Sequence, residues 1–493
     1  MSLKVSLLCI LLFILFSPSV VYAQAEEPEI EGVPLTIEEY FDNIVRHHPI
    51  VRQARFLSDL ALQELRLARG AFDPKLKSDF NTKEFDDKVY YNTWDSKLEV
   101  PTWFNADLNV GYEQNRGDFL NEQLSNTEDG LIYAGVSLPV GRGLFIDERR
   151  AAVRQARLMQ DMAEAERIKE INKTLLKAAK AYWNWYNAYQ DYMIINEVEE
   201  LARVRYNGVV QQVVNGDLAP FDSLKAFINY QQRDVQREQA ELDYTNAGIV
   251  VSNFLWLSDG EEDVIPMELS EATYPVLLSP LDDENLTELQ TLQILQDSAR
   301  VNHPKLVKLN AKIRQLEVQQ RLNREFLKPE VNLKYNFLTK PASESGNGTA
   351  TNGNGGENFF MNDYKFGAEL YFPLFLRKER AKLQKTNIKL EQNFFERQNQ
   401  FRTIENEINT AYNSLVNLAE LISMQDQMVE NYEALLRGEI IKFENGESSI
   451  FLINTRETEL LDARLKLVKL QTKYEKAKLE LLYAAGAPYL QQF

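Results

Sequence analysis

Two stretches of the chain constrain its fold more than any others: "VVNGDLAPFDSLKA" (Val213 to Ala226) and "FENGESSIFLINTR" (Phe443 to Arg456). Each interrupts a long run of helix-forming sequence, and helix-forming sequence resumes almost at once. The run before the first stretch, residues 149–214, contains no proline and would extend roughly 100 Å at 1.5 Å per residue. That is far longer than a helix in an ordinary globular domain. Asn215-Gly216 and Asn445-Gly446 supply the positive φ that a tight reversal needs. The chain therefore reads as two very long helical hairpins.

Heptads say that these arms pack against neighbours. Ile168, Leu175, Tyr182 and Tyr189 fall at sevens, as do Ile171, Ala178, Trp185 and Tyr192. In the second arm Ile404, Ala411 and Leu418 repeat the pattern beside Ile408, Leu415 and Ile422. Sustained sevens imply a left-handed supercoil. They are equally what a two-stranded coiled coil would show, so they do not name a function.

The rest of the chain is also written twice. Helical sequence in "LTIEEYFDNIVRHHPIVRQA" breaks at His48-Pro49, and in "LTELQTLQILQDSARVNHPKLVKLNA" at His303-Pro304. Each resumed helix runs about 20 residues to a second proline, Pro74 or Pro329, which excludes the preceding residue from helical geometry. Period-two sequence follows. The second half offers two strands, 331–338 and 364–374, separated by a Gly-, Asn- and Ser-rich loop. The first half offers four, in "PKLKSDFNTKEF", "VYYNTWDSKLEV", "WFNADLNVGYEQ" and "LIYAGVSLPV", with Pro101 in the turn of the middle pair. Residues 85–105 would alternatively form an extended loop. Tyr90, Tyr91, Trp94, Trp103, Phe104 and Tyr112 lie near strand ends, as in an interfacial aromatic girdle or a soluble aromatic core. Both long arms are entered through a proline, Pro139 or Pro373.

The N-terminal segment gives an address. Lys4 precedes a 12-residue h-region from Val5 to Phe16, and "SPSVVYA" places Val21 and Ala23 for cleavage before Gln24. Twelve residues are too few to span a bilayer as a helix. The single cysteine, Cys9, lies in that segment, so no disulfide or lipid anchor is expected in the exported chain. No later segment reads as a transmembrane helix, so strands would have to make any membrane crossing. The formal charge of −18 argues against a nucleic-acid partner.

Catalytic sequence features are missing. Three histidines without clustered carboxylates make a metal-ligand set improbable. No glycine loop that would cradle phosphate follows a strand, and "GRG" at 141–143 reads as a hinge. No local motif favours a Ser-His-Asp triad. Catalytic residues, metal ligands and cofactors are therefore all expected to be none.

In combination, the paired "HHPIV" and "NHPKL", the prolines that open strands, "FPLF" at 372–375 and the paired turns at Gly216 and Gly446 resemble the TolC-like family of outer-membrane efflux and secretion channels. The resemblance runs over roughly residues 35 to 488. It implies a mainly α, α+β protomer: a tandem repeat whose short strand groups join those of two other copies in a β-barrel. A periplasmic α-helical tunnel continues that barrel. The implied organisation is a signal peptide at 1–23, a first repeat at 24–257 with strands about 74–139 and a tip near 215–222, and a linker at 258–286. A second repeat at 287–488, with strands about 329–374 and a tip near 445–452, precedes a tail at 489–493.

The resemblance further implies a homotrimer in outer-membrane lipid, a periplasmic adaptor protein and an inner-membrane transporter, with no cofactor. Asn215, Gly216, Asn445 and Gly446 become adaptor-facing tips. Family members place aspartates six and nine residues after the second tip glycine, where this chain has Leu452 and Thr455. Asp222 stands six residues after the first tip glycine and Glu447 beside the second, so the expected periplasmic gate is Asp222, Glu447, Leu452 and Thr455. Four strands plus two would give an 18-stranded barrel instead of the family's twelve. The alternative to an exit channel is a periplasmic coiled-coil scaffold without a pore.

Overall fold

The computed structural model describes residues 33–117, 119–124, 129–258, 264–270, 272–276, 287–339 and 363–487. The signal peptide, most of the 258–286 linker, the glycine-rich loop after Thr339 and the 489–493 tail lie outside the described residues.

The two His-Pro steps build the same device. His48 and His303 sit in extended conformation (φ −64°, ψ 131° and φ −60°, ψ 125°), and the proline after each starts a helix. Each imidazole Nδ1 accepts the backbone N–H two residues on, from Ile50 and Lys305, at 3.2 Å. Histidine thus serves as the N-cap, satisfying one donor that the first helical turn leaves without a partner. The breaks separate α1 (Ile37–His47) from α2 (Pro49–Arg69), and α5 (Leu289–Asn302) from α6 (Pro304–Glu325).

The sheet contains all six expected strands: β2 (Lys75–Phe85), β3 (Lys88–Pro101), β4 (Asp107–Arg116), β5 (Leu131–Pro139), β9 (Glu330–Thr339) and β10 (Tyr364–Tyr371). Short strands β1 (Val33–Leu35), β6 (Trp256–Ser258), β7 (Val264–Pro266) and β8 (Thr273–Pro275) form two small separate pairs, β1–β8 and β6–β7. The large sheet runs β10-β9-β5-β4-β3-β2, antiparallel throughout. Residues 88–101 are therefore a strand and not an extended loop, joined to β2 by a hairpin whose two turn residues, Asp86 and Asp87, both take positive φ. Pro101 is the last residue of β3, opposite Asp107, so the middle turn falls at 102–106 and not at the proline.

The arms are α3 (Glu148–Asn215, 68 residues) with α4 (Pro220–Ser252), and α7 (Arg377–Glu444, also 68) with α8 (Ile450–Ala485). Asp147 caps α3 by accepting the Arg150 N–H at 3.1 Å. α7 begins instead at Leu376, with φ +49° and no side-chain cap. Gly216 and Gly446 turn the chain at φ +84° and +79°. The short helices flank the long ones, α2 and then α4 along α3, and α6 and then α8 between α3 and α7. At mid-height α1, β1 and β8 cover one face of α3. The core there contains Tyr40, Phe41, Ile44, Tyr182 and Trp185, and the Tyr182 hydroxyl donates to the carbonyls of Leu35 and Val276 at 2.8 Å.

Candidate functional site

Cross-strand register sorts the sheet into two unlike faces. Leu76, Leu98, Val110, Ala134, Phe337 and Tyr364 form one row across all six strands, and Val100, Leu108, Val136, Tyr335 and Phe366 the next. The opposite face carries Lys75, Glu99, Asn109, Gly135, Asn336 and Lys365 in one row, and Asp79, Asp95 and Glu113 in another. On this polar face Lys77 pairs with Glu99 at 2.5 Å, and the Tyr133 hydroxyl donates to Asp95 at 2.7 Å. Tyr133 lies flat over Gly111, where a Cβ would come within 2.5 Å of its ring.

The apolar face is bare: Leu76 is 79% exposed and Leu370 71%. From Val100 to Tyr90 along β3 is about 33 Å at 3.3 Å per residue, which a strand tilt near 40° projects to roughly 25 Å, the height of a barrel's lipid band. Trp94 and Tyr112 meet edge-on at the upper end of this face, and Tyr90 stacks on Phe119 beside them. Trp103 and Phe104 lie at the lower turn, with Trp103 against Phe72. Tyr91 pairs with Lys83 just before the register shift that leaves Tyr90 unpaired in β3. Every residue of β2 and of β10 is exposed, so both sheet edges lack a strand partner among the described residues.

Below the sheet, Arg149 ties the wall to the helices. It donates to Asp107 and Asn105 at 2.9 Å and to Asp147 at 3.2 Å, while the buried Arg150 donates to the Gly143 carbonyl at 2.5 Å. The "GRG" segment is thus a bonded joint between sheet and tunnel helices.

At the far end the two hairpin tips pack on one another. Val209 and Ala226 of the first bury Ile450 of the second, with Leu218 and Phe443 beside them. Asp222 sits in the first turn of α4 and pairs with Lys225 at 3.2 Å; the N-cap is Ala219. Glu447 is exposed and its N–H donates to the Lys442 carbonyl. Leu452 is exposed, and the Thr455 hydroxyl donates to the Phe451 carbonyl one turn back. Asn215 and Asn445 end α3 and flank α7, and each following glycine makes the reversal. The four gate candidates therefore occupy one end of the bundle, but no bond joins any one of them to another among the described residues.

A bonded cluster that sequence reading missed lies just above them. Arg205 of α3 forks onto Glu457 of α8, 2.6 Å on one arm, and reaches Asn454 at 3.3 Å. Arg233 of α4, 3% exposed, donates to Thr458 at 2.6 Å. Arg205 precedes Gly216 by eleven residues and Glu457 follows Gly446 by eleven. That equal distance from the two turns was the available signal.

No group of residues that could hold a metal ion, and no helix long and apolar enough to cross a membrane, occurs among the described residues. Residues 295–487 match the family model described as outer membrane efflux protein. No curated protein matches the chain. Solved structures match over nearly all of it. The Campylobacter jejuni CmeC outer membrane channel shares 13% identity at a TM-score of 0.59, covering 91% of this chain and 85% of that one. The Vibrio cholerae outer membrane protein VceC shares 14% at 0.57, over 91% and 96%. The open state of the Neisseria gonorrhoeae MtrE outer membrane channel shares 12% at 0.61, over 91% and 88%. The second half of the chain thus carries the outer membrane efflux protein family, and the chain as a whole has the fold of the TolC-like outer membrane channels.

Proposed function

We propose that this protein is the outer-membrane exit duct of a tripartite efflux or type I secretion system, a passive conduit that a periplasmic adaptor and an inner-membrane transporter open. One observation carries the reading: a single chain presents a six-stranded sheet with one apolar face, one charged face and two bare edges. In lipid an open edge leaves backbone groups unpaired at several kcal/mol each. Pairing β2 of one copy with β10 of the next removes every edge, and three copies give 18 strands and a barrel wider than twelve would make. The exposed apolar face also disfavours the scaffold alternative, because a water-soluble cap would have to cover it. The first repeat then spans 24–257 and the second 287–488, after a leader at 1–23.

The reading gives the joined tips two roles. Asn215, Gly216, Asn445 and Gly446 face the adaptor, and Asp222, Glu447, Leu452 and Thr455 shape the periplasmic gate. With Leu452 and Thr455 where the family has aspartates, fewer charges focus the field at the constriction, and block by cations is weaker. Energy comes from the transporter, so the duct itself carries out no chemistry.

Purified protein in detergent is expected to be a trimer that resists heat in SDS and conducts in planar bilayers. A soluble monomer released with periplasmic contents overturns the reading. Asp222→Ala is expected to alter, and Leu452→Asp to strengthen, cation block of the conductance. If neither changes it, the gate assignment is wrong.

A further inference from the structure

The bare face of α3 at mid-height carries a pattern that the duct reading does not require. Tyr182, Trp185 and Tyr189 mark the face covered by α1, α4, β1 and β8. At 100° per residue, Lys173, Lys177 and Lys180 lie about 140–200° around the helix from Tyr182. The flanks of α3 belong to α2 and α4 on one side and to α6 and α8 on the other. The lysine face is therefore the one that looks into the tunnel when the wall closes, since three copies of the covering layer inside would plug it.

α8 extends the same surface. Lys476 donates to Asn184 of α3 at 2.5 Å, and Lys180 pairs with Glu480. Lys473 and Lys469 follow one and two turns below, both exposed, as are Lys173 and Lys177. Among the described residues the carboxylates set against these six lysines are Glu480, Glu170 at 3.8 Å from Lys173, and Asp191 near Lys469, with Glu166 further along the same face of α3. Burial, and after it the Lys180 and Lys473 ammonium groups, hold Lys476 below the usual lysine range. Glu480 pairs with Lys180 and Glu170 with Lys173, so the six lysines outnumber their carboxylate partners. Above them Lys305, Lys308 and Lys312 of α6 and Lys169 of α3 line a cavity of about 410 Å³ together with Glu166 and Glu396. Glu166 pairs with both Lys308 and Lys169 at 2.8 Å, and Lys305 lies 3.8 Å from Glu407. All this positive charge stands in a chain whose net charge is −18.

We infer that the middle of the tunnel is a cationic collar that favours multivalent anions, so that the cargo of this duct is anionic: solutes bearing several carboxylate, sulfate or phosphate groups. Twelve helices spaced ~9 Å apart enclose a bore of roughly 24 Å. A screening length of about 8 Å at physiological salt lets the wall potential reach much of the way to the axis. Low-dielectric walls focus it further. A monovalent ion gains little from this and a multivalent anion gains several-fold more.

This inference rests on the duct reading, and the test separates the two. Tripolyphosphate is titrated against the detergent-purified trimer by calorimetry, and its block of single-channel conductance is measured in bilayers. The native trimer is expected to bind it, and Lys173→Gln/Lys177→Gln/Lys473→Gln, all at exposed positions, to weaken binding by about tenfold or more at low salt. The same variant is expected to shift the reversal potential in a KCl gradient toward cation preference. A trimer that conducts but neither binds tripolyphosphate nor changes selectivity in the triple variant overturns the collar and leaves the duct standing. Failure to assemble into a trimer overturns the duct itself, while in a trimer that does not conduct because its gate stays shut the binding titration still reads the collar.

Discussion

The two long helices α3 and α7 have the same length, the same repeat position and the same heptad pattern, yet α3 buries twenty residues and α7 only ten. Their neighbours explain the difference. α3 has helices on both flanks and the α1 layer across a third face, whereas α7 has the α5 layer across one face, α6 and α8 on one flank and, among the described residues, no helix on the other. That other side of α7 carries Leu421, Met428 and Leu435 at sevens, all exposed, with Ile388 and Phe395 seven apart above them. The opposite boundary of the chain, the outer side of α4, carries Ile228, Val235, Leu242 and Ile249, also at sevens and also exposed. A heptad says that a helix packs, not against which chain. Equal patterns with unequal burial are what the proposed duct needs, a free face on each boundary where a second copy would pack.

The largest expected effect breaks that seam. Val235→Glu/Leu242→Glu on α4, or Met428→Glu/Leu435→Glu on α7, would bury unpaired charge at three equivalent interfaces, at ~1–3 kcal/mol or more for each group. Assembly is expected to weaken by at least roughly a thousandfold, read as loss of the heat-resistant trimer band and a monomer by native mass spectrometry. The variants leave the α3 core untouched, so the helical circular dichroism should persist. An intact trimer in both double variants would mean that these exposed rows face lipid or solvent and that the two boundaries do not meet.

The comparison also shows what sequence could carry. Steps that act through local backbone chemistry were legible: Pro49 and Pro304 start helices, Gly216 and Gly446 reverse them, and alternation such as Leu76-Lys77-Ser78 sets the strands. The same alternation offered six strands but left residues 85–105 open to an extended loop, which the register of β2, β3 and β4 decides. Features that depend on residues far apart were not legible. The bonded pair Arg205–Glu457 joins positions 252 apart, and the small β1–β8 pair joins Val33 to Thr273. Gate candidates fell between these cases. Counting from the turn glycine put Asp222 and Leu452 beside the hairpin tips, but gave no sign of Lys225 as the partner of Asp222. Pro101 misled because a proline can close an edge of a strand as well as sit in a turn.

The hinge histidines sharpen the comparison between repeats. His48 lies under Phe254 and Trp256, residues that follow α4, while His303 lies under Gly486, which follows α8 and whose added Cβ would come 2.7 Å from the ring. Burial lowers both pKa values, His303 to about 4. A neutral buried imidazole contributes stability that is fully present above the unfolded value near 6.5 and is lost as pH falls through the window down to about 4. For His303 this amounts to about 3 kcal/mol. Protonation also removes the Nδ1 acceptor from the Lys305 N–H. His303→Asn keeps a capping acceptor and should flatten the fall in melting temperature between pH 7 and pH 4.5, with His48→Asn doing so less. If the acid limb stays parallel to that of the native protein, His303 does not titrate with unfolding.

The smallest effect is expected at the tips, where the two repeats look alike. Gly216 and Gly446 share positive φ, and a Cβ built on either meets nothing within 4 Å. Alanine there is opposed by backbone strain alone, roughly 1–2 kcal/mol at each site. That is too little to unfold the chain but enough to loosen the turn. Amide exchange should therefore rise modestly and equally around both turns, at Asp217, which donates to Gln212, and at Glu447, which donates to Lys442. Gly486→Ala, with φ +70° and His303 and Pro304 in the way, should cost more and loosen the hinge instead. Unequal tips would be the informative outcome. If Gly446→Ala cost clearly more than Gly216→Ala in the trimer, a neighbouring copy would have to stand against the second turn and not the first. The symmetry of the two repeats would then end at the gate.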